Sequence, residues 1–168
     1  RRATRIIAIS ESTKKDIVEI YGIDEKLIDV IYHGSFLHRN IDSVSEKPHL
    51  GRYLLFTGTR RGYKNFYFSV CAIAPILKNE VDLFLVCIGP KFDSDELNFF
   101  ESLKISEKVL CYTVSDQALF TYYEKAECLI FPSYYEGFGL PILEAFEAGC
   151  PIVLADSSCF REIAGSAG

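Results

Sequence analysis

The chain has 168 residues, 49% of them hydrophobic and 24% charged, with a formal net charge of −5 and a pI near 5.2. That length suits one cored domain rather than two, and the composition is globular rather than disordered. The acidic balance argues against a nucleic-acid surface and favours a small ligand, while no apolar run reaches the roughly 18 residues of a membrane span or forms a signal peptide.

Short apolar, β-branched runs alternate with helix-length amphipathic segments, the pattern of βα units around a parallel sheet. Residues 5–10 (RIIAIS) read as a strand. Residues 11–22 read as a helix with an Ile17, Val18, Tyr21 stripe, ended by Gly22. Residues 27–32 form the next predicted strand, and the polar stretch 39–52 a loop. Residues 1–34 are expected to be the tail of a preceding domain plus a hinge, and 35–168 the main domain. In that domain strands are predicted at 53–57, 82–88, 108–112, 127–131 and 151–155, with helices at 66–78, 93–103, 116–125 and 141–148. Pro141 near the start of the last helix and Gly149 just past its end give the asymmetry expected of helix termini. The expected fold is α/β: a Rossmann-like parallel sheet flanked by helices and lacking its last ones. A start at Arg1 in a sequence without methionine reads as an internal piece of a longer protein.

Six cysteines, at 71, 87, 111, 128, 150 and 159, show no C-x-x-C pair and no zinc spacing, so they read as reduced core thiols of a cytoplasmic protein. Cys150 and Cys159 have no adjacent base in sequence to activate them. His33, His38 and His49 read as surface or packing residues, and Tyr134 and Tyr135 as space-filling rings.

Ligands of open α/β sheets bind beyond the carboxyl ends of the strands, and two loops there carry unusual chemistry. In GTRRGYKN, residues 58–65, Gly58 and Gly62 bracket Arg60, Arg61 and Lys64. These cations suit a diphosphate clamp, and equally a solvated charge cluster. In SYYEGFGLPILEAFEAG, residues 133–149, Glu136 and Glu144 stand on either side of the Gly137-Phe138-Gly139-Leu140-Pro141 turn. The glycines let peptide N–H groups face a ligand at a helix start, and a carboxylate accepts two hydrogen bonds from a vicinal diol. From spacing alone Glu144 is either a ligand contact or a helix-dipole carboxylate.

Residues 133–165 closely resemble the E-x7-E segment of retaining glycosyltransferases of family 4, which have the GT-B fold. Residues 5–34 look like that family's passage into its C-terminal donor-binding domain, FTGTRRGYKN like its diphosphate loop, CIGP like a later strand end, and VSDQALFTYYEKAECLIFPS like the approach to E-x7-E. The resemblance implies Glu136, Arg60 and Lys64 as catalytic residues, Arg60 and Lys64 on the donor diphosphate and Glu136 facing the transferred sugar. It places Gly58, Arg61, Val114, Gly137, Phe138, Gly139, Leu140 and Glu144 around the donor, with Glu144 on the ribose hydroxyls. Tyr112 stands where the family often has a glycine beside the nucleobase, which leaves the base unnamed.

The implied reaction transfers a sugar from a nucleoside diphosphate to a hydroxyl acceptor, lipid-linked or otherwise, with retention and without a metal or other cofactor. Its setting would be surface polysaccharide assembly, in the cytoplasm or at the inner face of a membrane. The implied partners are the nucleotide sugar, the acceptor and an N-terminal acceptor domain outside this chain, so this chain alone is expected to bind donor and transfer little. A dinucleotide-binding reading is weak, since G-x-G at 137–139 is followed by Ile142 and lies far from the first βα turn, and no P-loop sequence occurs. A noncatalytic nucleotide or phosphosugar-binding module is the alternative.

Overall fold

The computed structural model describes residues 3–35, 37 and 51–167, so His38, His49 and all but the end of the predicted 39–52 loop lie outside them. Among the described residues there are two sheets, one of two strands and one of five, both parallel. The small sheet pairs β1 (Ile6–Ala8) with β2 (Ile28–Val30), and α1 (Glu11–Tyr21) connects them. Ser10 caps α1 by accepting from the Thr13 amide, and Gly22 ends it at φ 63°, donating to the Val18 carbonyl, as the left-handed C-cap of a helix requires.

The main sheet is built from β3 (Arg52–Thr57), β4 (Leu83–Ile88), β5 (Val109–Tyr112), β6 (Cys128–Phe131) and β7 (Ile152–Leu154), in the order β5-β4-β3-β6-β7. Helices α2 (Phe66–Asn79), α3 (Ser94–Ser102), α4 (Asp116–Lys125), α5 (Leu140–Glu147) and α6 (Phe160–Ala164) connect or follow these strands. Strand residues alternate between two cores. Phe56, Leu85 and Cys87 pack with α2 and α3 residues such as Val70, Leu77 and Phe100. Tyr53, Leu55, Val86 and Leu129 pack on the other face with α4 and α5 residues such as Tyr123 and Ile142. Apolar residues on both faces are what a parallel sheet with helices on both sides requires.

The strand order reverses between β3 and β6, the switch point at which such sheets hold ligands. The seam there is short. β3 matches β4 over six residue pairs, from Arg52–Leu83 to Thr57–Ile88, but meets β6 only at Leu54–Cys128 and Leu55–Leu129. Ladder pairing between them ends at Leu55, and the loops that follow β3 and β6 lie beyond it.

Candidate functional site

The loop after β3 begins at Gly58, φ 98°, and ends at Asn65, φ 53°. Between them a tight turn over Gly62–Lys64 turns the lysine towards β6. The loop is tied to the one after β6 by a 2.8 Å bond from the Tyr134 amide to the Tyr63 carbonyl. Lys64 Nζ then donates at 2.7 Å to Glu136 Oε1, and the Tyr63 and Phe131 rings lie 5.4 and 5.1 Å from the ammonium. Two charged residues singled out in sequence thus meet across the switch point.

Arg60, expected on a diphosphate, is engaged elsewhere in the fold. Its side chain is buried and runs towards the end of β4, where Nε and Nη2 donate to Glu96 at 2.7 and 3.1 Å and Nη2 also reaches the Pro90 and Lys91 carbonyls. Phe92 lies 4.7 Å from the guanidinium carbon. Burial works against its charge, and the Glu96 hydrogen bond and charge outweigh that, leaving its pKa raised. Nη1 is buried without a hydrogen-bond partner, 3.6 Å from where a Cβ on Gly89 would sit. Arg61 is the exposed arginine of the loop and pairs with Asp93.

The expectation of metal independence takes the sequence to hold no Asp-x-Asp, and Asp93-Ser94-Asp95 corrects that. It opens α3: Asp93 accepts from the Glu96 amide while Glu96 accepts from the Asp93 amide, a reciprocal capping box.

The turn after β6 is held from below. Gly137 offers its carbonyl to Ser10 Oγ at 2.7 Å and Thr13 Oγ1 at 3.1 Å, and a Cβ there would lie 3.2 Å from Ile9 Cδ1. Ser158 Oγ and the Cys159 thiol donate to the Glu136 carbonyl, and the thiol also reaches the Phe138 carbonyl. Phe138 is buried, with His33 edge-on at 5.2 Å and Tyr32 tilted at 6.0 Å. His33 is therefore a packing residue. Gly139 stands before α5 at φ 91° and gives no side-chain cap, so the first amides of α5, with exposed Leu140 at its start, have no capping side chain. Such a terminus presents N–H groups and a positive field to an anion.

Glu144 is half-buried on α5. Its Oε2 accepts from the Tyr123 hydroxyl at 2.7 Å, and burial raises its pKa despite that bond. Val114 packs half-buried against the core just past β5, and Tyr112 tilts over Tyr122 at 5.9 Å. The structure therefore groups Gly58, Lys64, Glu136, Gly137, Gly139 and Leu140 near the switch point, with Glu144 one to two turns into α5 and Val114 towards the sheet edge.

Sequence reasoning did not single out Ser10, Thr57, Glu96 or Tyr123. The Asp93-x-x-Glu96 spacing was a readable signal for Glu96, whereas the other three are polar positions whose partners only the fold supplies. Cys71 is exposed, which corrects its reading as a core thiol, while Cys87, Cys150 and Cys159 are buried. Burial pushes the Cys150 thiol up to about 11 and raises that of Cys159. Among the described residues no helix is long and apolar enough to cross a membrane.

Residues 37–168 match the family described as glycosyl transferases group 1. The chain is 27% identical over 164 residues to the O-antigen chain mannosyltransferase RfbU of Salmonella typhimurium, covering 97% of this chain and 45% of that protein. It is 28% identical over 170 residues to a Campylobacter jejuni N-acetylgalactosamine-N,N'-diacetylbacillosaminyl-diphospho-undecaprenol 4-alpha-N-acetylgalactosaminyltransferase, covering 98% and 45%. Its fold matches that of WaaG, a glycosyltransferase involved in lipopolysaccharide biosynthesis, with a TM-score of 0.78 at 19% identity over 97% of this chain and 47% of that one. The chain spans just under half the length of these relatives.

Proposed function

The chain belongs to the glycosyl transferases group 1 family, and from that premise we propose that it is the donor-binding part of a retaining family 4 glycosyltransferase. The donor is a nucleoside diphosphate sugar and the acceptor a hydroxyl, in the assembly of a surface polysaccharide at the inner face of a membrane. The observation that carries the reading is the 2.7 Å meeting of Lys64 and Glu136 beside the uncapped start of α5 at the switch point. A cation, the Gly139 and Leu140 N–H groups and a carboxylate lie together there, the set that a diphosphate joined to a hydroxyl-bearing sugar needs.

Charge grows on the leaving diphosphate as the sugar–oxygen bond breaks, so catalysis depends on donors already aimed at the phosphates. In this proposal Lys64 and the Gly139 and Leu140 amides take that charge, and Glu136 accepts from the sugar hydroxyls. The Gly137 and Phe138 backbone lines the sugar, Glu144 accepts from the ribose, and Gly58 allows the diphosphate close to the loop. Arg61 adds an exposed cation at the loop's outer side, Val114 borders the base, and Arg60 acts by fixing the loop. No metal is required, because the lysine and the helix terminus supply the positive charge.

A thermal-shift titration against UDP, GDP, ADP and dTDP, each with a sugar conjugate, tests the reading. Relatives named as mannosyltransferases make a mannose conjugate the first to try. A ligand at a hundred times its Kd stabilises the fold by about 2.7 kcal/mol, so one base is expected to raise the melting temperature by about 5 °C. No shift with any nucleotide would overturn the donor-site assignment.

A further inference from the structure

Two charged groups of this site satisfy each other. The Lys64 and Glu136 side chains are only 12% and 13% exposed, and the Glu136 backbone is pinned through its carbonyl to Ser158 at 2.7 Å. A pair this far out of water leaves either member poorly solvated when the other is taken away. A diphosphate that captures Lys64 therefore strips Glu136 of its counter-ion, and the carboxylate needs new donors.

The two nucleotides that the site would meet differ in what they offer. A nucleoside diphosphate sugar brings hydroxyl donors beside its phosphates, and a carboxylate accepts from them well. A bare nucleoside diphosphate keeps its ribose hydroxyls but has none at the terminal phosphate, where the transferred sugar would be. It ends instead in a phosphate bearing additional negative charge, and like charges at short range in a poorly solvated site repel strongly.

We infer that Glu136 competes with the ligand's diphosphate for Lys64 and thereby makes the site select an intact nucleoside diphosphate sugar over the bare nucleoside diphosphate. The inference rests on the donor-site reading and adds to it the discrimination between donor and spent nucleotide. Sugar departure then removes the donors that kept Glu136 satisfied, and the return of Lys64 to Glu136 helps to displace the remaining nucleotide.

The test is isothermal titration calorimetry of the chain and its Glu136→Gln variant with GDP, UDP, ADP, dTDP and a sugar conjugate of each. Glutamine keeps hydrogen-bonding capacity and loses the charge. The bare nucleotide is expected to bind about tenfold tighter to the variant, while the conjugate, which loses a charged acceptor for its sugar hydroxyls, gains nothing or weakens. In a Lys64→Gln background, Glu136→Gln is expected to give a much smaller gain, because the contested cation is gone. Glu136→Ser is a second charge-removing variant with the same expected gain, should the glutamine protein not fold.

Unchanged or weaker binding of the bare nucleotide to a folded charge-removed variant, with wild-type binding intact, overturns the competition and leaves the donor site standing. A full tenfold gain without Lys64 also overturns it. If the wild-type chain binds no member of the panel, the donor-site reading fails and this inference with it.

Discussion

Tyr123 and Glu144 are joined by a 2.7 Å hydrogen bond from the phenol to the carboxylate, and Thr57 Oγ1 lies 3.2 Å from the same phenol oxygen. An ionised carboxylate only accepts, so the phenol proton points to Glu144 and Thr57 donates to Tyr123. The end of β3, helix α4 and helix α5 are thereby linked through one carboxylate.

Glu144→Gln separates stability from binding. Burial raises the Glu144 pKa above its ordinary 4.5, so the folded state holds that proton more tightly than the unfolded state. Wild-type stability is thus lowered as pH rises from below 4.5 through the folded pKa, and this penalty is complete above it. The variant lacks the penalty. Its melting temperature relative to wild type is expected to increase over that window, while its nucleotide affinity at neutral pH falls about tenfold; parallel pH-dependent melts and calorimetry check both.

The Arg60–Glu96 pair predicts a strong non-additivity. Glu96→Ala strands a buried guanidinium and removes half of the α3 capping box, and is expected to cost about 3 kcal/mol in urea unfolding. Replacing both residues by methionine removes the stranded charge and is expected to cost clearly less than the sum of the two single replacements.

Gly139→Ala tests the backbone at the start of α5. The position has φ 91°, and an added Cβ would stand 3.0 Å from Ile142 Cδ1 and 3.4 Å from Phe131 Cε1. The strain is about 1–2 kcal/mol, expected to lower the melting temperature by about 4 °C and to weaken nucleotide-sugar binding as the first amides of α5 move.

Ser10→Ala removes the N-cap of α1 and one of two hydroxyl donors to the Gly137 carbonyl. A loss of about 1–2 kcal/mol is expected. Amide hydrogen exchange around Gly137 and Gly139 should quicken, whereas exchange in the central strand β4 should follow only the global change.

Chelation checks the chemistry of the proposed site directly. If Lys64 and the α5 amides carry the diphosphate, EDTA leaves nucleotide affinity unchanged in calorimetry. A loss of binding on chelation would assign that charge to a divalent ion.

Much of the fold was legible because each element carries its own signal. α4 spans Asp116–Lys125 as its periodicity predicts, and β3 to β7 fall within a residue or so of their apolar runs. The placement of Glu136 and Glu144 on either side of a Gly-x-Gly turn was legible too. What adjacent residues do was not. Arg60 and Lys64 read alike in sequence, yet Gly58 and the tight turn at Gly62–Lys64 send them to opposite sides, and Arg60 finds a partner 36 positions away. The Ser10 contact to Gly137, 127 positions distant, likewise exists only once the small sheet rests on the motif turn.

The short seam between β3 and β6 bears on how the molecule folds. Contacts close in sequence form early, whereas joining distant stretches requires loop closure before any contact rewards it. β3 with β4 and β5 makes one block of neighbouring units, and β6 with β7 another. The two register pairs at Leu54 and Leu55 contribute little to uniting them, so the junction depends on the core that Leu55 and Val86 share with Leu129 and Ile142. The candidate site, built from one loop of each block, is therefore held together by packing far more than by strand pairing.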